Sequence, residues 1–226
     1  MFLEVIAKSI DDVKKINKTK ASRIELCKDL EVGGLTPDYE LIDNASKISK
    51  LPVNVIVRPT SRDFIYTSDE KKQILKDIEY IKKTKANGIV FGALNQDKTI
   101  DIDLLKKVIK AKEDLQITFH KAFDEVTDFL ESYKLLAYYK VDCVLTSGGS
   151  DLNKGFVVLE SLKNLKLNTK ILIGGGVNEQ NFSKTLTISN YIHIGRMARF
   201  EHSWDKSVDD HRVNELINIF SSNNTN

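Results

Sequence analysis

Gln116-Ile117-Thr118-Phe119-His120-Lys121-Ala122-Phe123-Asp124 reads as a short apolar strand that ends on a histidine and passes through Asp124 into a helical pattern. The chain repeats this arrangement about eight times. Ser22-Arg23-Ile24-Glu25-Leu26-Cys27, Val53-Asn54-Val55-Ile56-Val57-Arg58 and Tyr191-Ile192-His193-Ile194-Gly195-Arg196 are further copies. Short β-branched runs alternating with amphipathic helical segments specify a parallel sheet. Eight such units in 226 residues predict a single-domain α/β chain, a closed (β/α)8 TIM barrel over 1–226, whose functional groups gather at the C-terminal strand ends.

Working outward, strands are expected near 2–7, 23–27, 53–58, 88–92, 115–120, 141–146, 169–173 and 191–195, with helices between them and a last helix over 208–220. Thr36-Pro37 offers an N-cap hydroxyl followed by proline at the first helical position. Thr67-Ser68-Asp69-Glu70 is a capping-box pattern, and Asn178 is placed to cap the helix after Gly174-Gly175-Gly176. Phe129, Tyr133, Leu136 and Tyr139 recur at helical spacing and read as a core face. The long βα loops are expected at 28–35, 59–66 and 147–154; the tail 221–226 is polar and expected to fray.

Side chains alternate along a strand, so parity sorts those that face the barrel interior. A consistent register turns Glu4, Glu25, Arg58, His120 and His193 inward, with Cys27 on the parity of Glu25, and sends Phe119 and Lys121 outward. Five polar positions converging on one mouth predict a pocket. The alternative is a polar cluster that only stabilises the barrel, with Glu25 and Arg58 as an ion pair. With no inward lysine, Schiff-base chemistry is not expected.

Gly174-Gly175-Gly176 and Gly195-Arg196 add an anion signal, because glycine lets backbone N–H groups approach a phosphate closely and Arg196 would add a bidentate contact. The plainer reading is that these glycines only turn the chain. Arg62-Asp63-Phe64-Ile65-Tyr66 would either clamp an anionic or planar ligand or pin its own loop through Arg62–Asp63 and buried rings.

Composition narrows the classes. Thirty-four basic residues are interspersed with 32 acidic ones for a net charge of +2, which supplies no basic stripe for nucleic acid and no electrostatic hold on a membrane. Cys27 and Cys143 form no CxxC pair, and the N-terminus enters a strand directly, so a reducing cytoplasm is the expected location. A homo-oligomer is left open. Soft donors for Cu(I) are Cys27, Cys143, Met1 and Met197, with histidines 120, 193, 202 and 211, in no metal-binding spacing. A site would have to be assembled across strands, for example from Cys27, His120 and His193.

Glu4, Arg23-Ile24-Glu25-Leu26-Cys27, Gly33-Gly34-Leu35-Thr36-Pro37, Val57-Arg58-Pro59, Arg62-Asp63-Phe64-Ile65-Tyr66, Thr118-Phe119-His120-Lys121-Ala122-Phe123-Asp124, Leu145-Thr146-Ser147-Gly148-Gly149 and His193 together resemble the CutC family, over residues 2–199. The resemblance implies a cytosolic TIM barrel associated with copper homeostasis, with Cys27 as the copper-binding cysteine and copper as the candidate cofactor. Lys121 stands where an arginine is usual in that family, and Ile194-Gly195-Arg196-Met197-Ala198-Arg199 replaces its small Ser/Gly-Ala run. Two functions follow. One is copper handling through Cys27, with His120 as a helping ligand. The other is an enzyme for a small phosphorylated or carboxylated metabolite, with His120 and Glu25 in acid–base roles and Arg58 and Arg196 as anion clamps.

Overall fold

The strand-forming runs pair strictly with their sequence neighbours. In the computed structural model, which describes residues 1–223, β1 (Phe2–Ala7), β2 (Arg23–Leu26), β3 (Val53–Ile56), β4 (Gly88–Phe91), β5 (Gln116–Phe119), β6 (Cys143–Thr146), β7 (Lys170–Ile173) and β8 (Tyr191–Ile194) close into a parallel barrel in chain order. Between and after them run α1 (Ile10–Ile16), α2 (Tyr39–Ile48), α3 (Ser68–Ile81), α4 (Ile102–Lys112), α5 (Phe129–Tyr138), α6 (Leu152–Asn164), α7 (Glu179–Ile188) and α8 (Asp210–Asn223). The expected strands all form. Most are a residue or two shorter, because the chain leaves the sheet as soon as its loop begins. Of the expected polar tail, residues 221–223 complete α8, and 224–226 lie outside the described residues.

One parity of each strand builds the layer under the helices. Leu3, Val5, Ile24, Leu26, Val55, Ile89, Phe91, Ile117 and Phe119 pack with Val13, Ile42, Ile74, Leu105, Leu136 and Leu159 from the helices in one continuous core. Burying each such aliphatic chain contributes about 1.5–3 kcal/mol, which is why both faces of the sheet can be covered. The other parity fills the barrel. Ile6, Cys27, Leu30, Ile56 and Val90 pack with Trp204 in one cluster, and Cys143, Leu145 and Leu172 pack with Tyr191 in another. Glu4, Arg23, Glu25, Asn54 and Thr118 are buried polar residues of that same interior parity.

The helix starts largely follow their local chemistry. Thr67 and Glu70 form the expected capping box, and Asn178 forms one with Asn181. The Thr36 cap does not form. Asp38 occupies the N-cap of α2, and the Thr36 hydroxyl instead accepts the Arg58 backbone N–H at 2.8 Å, tying the loop after β2 to the end of β3. Tyr133 and Leu136 of α5 are fully buried, as their spacing predicts.

Candidate functional site

The βα loops and strand ends enclose a cavity of about 460 Å³ at the C-terminal end of the barrel. Glu25, Cys27, Arg58, His120, His193, Gly175, Gly195 and Arg196 all line it, so the residues selected by parity and by the glycine turns share one space. Glu4 lies beneath them. It is fully buried and reaches the cavity through His193, whose Nδ1 is 2.8 Å from Glu4 Oε1.

The interior ion pair differs from the expected one. Arg23, on the parity of Glu25, donates its Nε to Glu4 Oε2 at 2.5 Å and places Nη2 3.5 Å from the Thr118 hydroxyl and 4.0 Å from Cys143 Sγ. Glu25 and Arg58 form no ion pair among the described residues; Arg58 instead donates to the carbonyls of Val32, Gly34 and Ser61 and lies against the Phe64 ring. Burial alone would raise the Glu4 carboxyl, but the Arg23 charge and the His193 contact outweigh it and bring Glu4 down to about 2. Glu25 has no such cation in contact. Burial pushes its carboxyl above the ordinary range, with Glu4 adding to the effect and His193, whose Nε2 is 3.6 Å away, opposing it. For His193 burial works against the charged ring, yet the two glutamates prevail and its value is raised.

His120 is a donor. The Ala122 backbone N–H donates to Nδ1 at 3.1 Å, which assigns the ring proton to Nε2. Burial, then the charge of Arg58, brings the ring down to about 3, so the imidazole is neutral at physiological pH. With Nδ1 already accepting, the neutral ring is left with its Nε2–H as a donor. Gly92 provides its room, since a Cβ there would stand 2.5 Å from Nδ1.

Lys121 does not face outward. The chain leaves β5 at His120 and turns into a short 3-10 segment, Lys121–Glu125, so strand parity no longer applies. The side chain lines the cavity, bonds Asp124 and the Ser147 hydroxyl, and lies over Gly175, where a Cβ would stand 2.4 Å from Nζ. Asp124 in turn accepts from the Thr146 hydroxyl and from the backbone N–H groups of Ser147 and Gly149, locking the loops after β5 and β6 together. A lysine is therefore present at the mouth, held as an ion pair.

The loop at 195–209, after β8, is longer than the expected ones and carries His202 and, with no sequence signal, Trp204 to the cavity. Buried Arg199 fixes it, pairing with Asp12 at 2.7 Å and donating to the Lys206 carbonyl at 2.8 Å. Trp204 packs so tightly on Gly195 that any Cβ there would meet its ring at 2.3 Å. Arg62 is exposed and paired with Asp63 and Glu70, which makes its loop self-pinned.

The metal expectation changes as well. Among the described residues, the group of three potential ligands within 4.8 Å of one another is Glu4, Glu25 and His193; Cys27 and His120 lie outside it. Burial, followed by the neighbouring Glu25 carboxylate, holds the Cys27 thiol well above its ordinary value and so protonated. Among the described residues no helix is long and apolar enough to cross a membrane.

Residues 1–197 match the sequence model of the CutC family. A family protein CutC from Parabacteroides distasonis is 38% identical over 185 residues, 80% of this chain and 76% of that protein. One from Histophilus somni is 35% identical over 97% of this chain and 98% of its own length. Among solved structures, a Streptococcus agalactiae protein named for copper homeostasis, CutC, superimposes with a TM-score of 0.81 at 26% identity, covering 86% of this chain and 98% of that one.

Proposed function

The chain belongs to the CutC family, and from that premise we propose that it is a barrel enzyme acting on a small anionic metabolite, with Glu25 as the group that moves the proton. The observation that carries this reading is the state of Glu25. Its carboxyl lines a 460 Å³ cavity, is shielded from water, and is raised above the ordinary carboxylate range beside an imidazole 3.6 Å away. A carboxyl tuned upward by burial is what proton transfer near neutral pH requires. Glu4, kept ionised by Arg23, orients His193 toward it. His120 supplies a neutral N–H for developing negative charge. Arg58 and Arg196 bring positive charge to the lining, and the turns at Gly175 and Gly195 offer backbone N–H groups for an anionic head.

A thermal-shift series with phosphorylated and carboxylated metabolites tests the reading. Anions at millimolar concentration should raise the melting temperature, because a ligand that binds only the folded state stabilises it by mass action. Glu25→Gln should keep that shift and lose turnover of whichever compound gives it. If no anion shifts the wild type, the reading falls.

Copper handling is the second reading. It is favoured by Cys27, Met197 and His202 lining one cavity and by the name of the Streptococcus agalactiae relative. It requires the Cys27 thiol to give up its proton beside Glu25 on metal binding, which burial and that carboxylate both oppose.

A further inference from the structure

Two donors at the cavity have no acceptor. His120 Nε2 and Arg58 Nε are both buried, and neither finds a hydrogen-bond partner among the described residues. Their residues are only 4% and 7% exposed, so each unmet N–H carries a desolvation cost that nothing in the chain offsets. The two groups share one cover: the Phe64 ring centre is 4.9 Å from the imidazole and 4.8 Å from the guanidinium carbon. Glycines make room for both, since a Cβ at Gly33 would stand 3.0 Å from Arg58 Nη1 and one at Gly92 would strike His120.

Arg58 has a second deficit, in charge. Its Nη atoms are met by backbone carbonyls alone. The carboxylates that act on it from a distance, Glu125 and Asp63, are themselves paired with Lys98 and Arg62. A buried guanidinium without a counter-ion is costly.

The geometry points to a carboxylate-binding subsite formed by Arg58 and His120 beneath Phe64, at the ends of β3 and β5 and separate from the glycine turns after β7 and β8. One guanidinium beside one neutral N–H donor supplies a single positive charge, which matches a monoanionic carboxylate better than a phosphate dianion. Two outstanding N–H groups and a fixed positive charge repel a metal cation. A carboxylate held under Phe64 is withdrawn from water, where charge-assisted hydrogen bonds gain strength. The ligand is then two-headed, with a carboxylate here and a second anionic group at Gly175 and Gly195. Only that second head rests on the anionic-metabolite reading above.

Three probes separate the subsites: glycolate, methyl phosphate and 2-phosphoglycolate, which joins the two heads. The first readout is the Nε2–H resonance of His120 in a ¹⁵N-labelled imidazole NMR spectrum. Glycolate and 2-phosphoglycolate should move it downfield, and methyl phosphate should leave it in place. The second readout is affinity by calorimetry. 2-Phosphoglycolate should bind about 10- to 100-fold more tightly than methyl phosphate, the range for hydrogen bonds to a charged group, and His120→Phe should lose most of that gain. Phe64→Ala, which keeps both donors and removes their cover, should weaken the carboxylate probes and spare methyl phosphate. Methyl phosphate failing to bind while glycolate still moves His120 would remove the phosphate head and leave this subsite supported. No response of His120 to either carboxylate, or 2-phosphoglycolate binding no tighter than methyl phosphate, overturns it.

Discussion

Glu4 Oε1 and His193 Nδ1 are 2.8 Å apart, on neighbouring strands where the two residues sit in register. Arg23 holds the other oxygen of the same carboxylate at 2.5 Å. The chain Arg23–Glu4–His193 is therefore polarised in one direction. The guanidinium keeps Glu4 ionised, Glu4 fixes the imidazole proton on Nδ1, and Nε2 is left facing Glu25. An acidic group beneath a histidine sets the tautomer and orientation of that histidine in the same way in hydrolase triads.

Glu4→Gln should destabilise the protein by about 3–5 kcal/mol, the range for stranding one partner of a buried ion pair, here Arg23. The same pair predicts an acid dependence. Glu4 is lowered on folding from 4.5 to about 2, so the stability it contributes is complete above 4.5 and disappears as pH falls through 2. That contribution is on the order of 3 kcal/mol. Urea unfolding at pH 7 and pH 3 measures both effects, and the gap between wild type and variant should narrow at the lower pH.

Glu25 and His193 act at the other end of the scale. Both are raised on folding, so the stability each lends is present below its unfolded value and is lost as pH rises through its folded one. Glu25→Gln keeps the shape and removes the ionisation. The variant should be less sensitive than the wild type to pH rising above 4.5, the unfolded value, with a smaller loss of melting temperature between pH 5 and pH 9. An unchanged slope would mean that Glu25 titrates in the folded protein as it does in the unfolded chain.

The barrel was legible because its signal is periodic: β-branched runs of regular length, capped helices and inward parity need no knowledge of partners. Parity also locates Arg23, two residues before Glu25 on the same face, but a basic residue at the N-terminal end of a strand reads as solvated, and only the register with Glu4 reveals its pairing. Lys121 escapes the parity rule because it lies two residues past the end of β5, in a segment where the backbone turns. Trp204 reaches the cavity from a long irregular loop whose path depends on Arg199 meeting Asp12, 187 residues away, and no local pattern encodes that meeting. The protonation of His120 depends on one backbone N–H, from Ala122, which residue identity cannot report.

The copper reading has a direct test in Cys27→Ser and Cys143→Ser, compared with wild type in competition against a Cu(I) chelator. Cys27 lies beside a carboxylate that holds its thiol protonated, and Cys143 Sγ faces the Arg23 guanidinium inside the barrel. Burial keeps the Cys143 thiol raised as well, although the Arg23 guanidinium lowers it in part, and that same cation repels a copper ion. The three proteins should agree in Cu(I) affinity to within about tenfold, or 1.4 kcal/mol. A loss of several orders of magnitude in Cys27→Ser alone would restore Cys27 as a copper ligand.

Trp204 is the only tryptophan in the chain and lines the cavity, packed on Gly195 beside the proposed seat of the anionic head. Its fluorescence should therefore report binding there without a label. Arg196 lines the same rim but is exposed. Its contact with a bound phosphate is shared with water and screened by salt, so it is worth less than the buried limit. Arg196→Ala should weaken methyl phosphate binding by about fivefold, close to 1 kcal/mol, and that difference should shrink between 20 mM and 500 mM salt. Gly175→Ala should do more. It adds a Cβ at a backbone φ of +81° and drives it against the Lys121 ammonium, so it perturbs the turn and the neighbouring cation at once. The Trp204 titration should then show weaker binding for Gly175→Ala than for Arg196→Ala. The reverse order would place the anion on the side chain at the rim and away from the backbone of the turn.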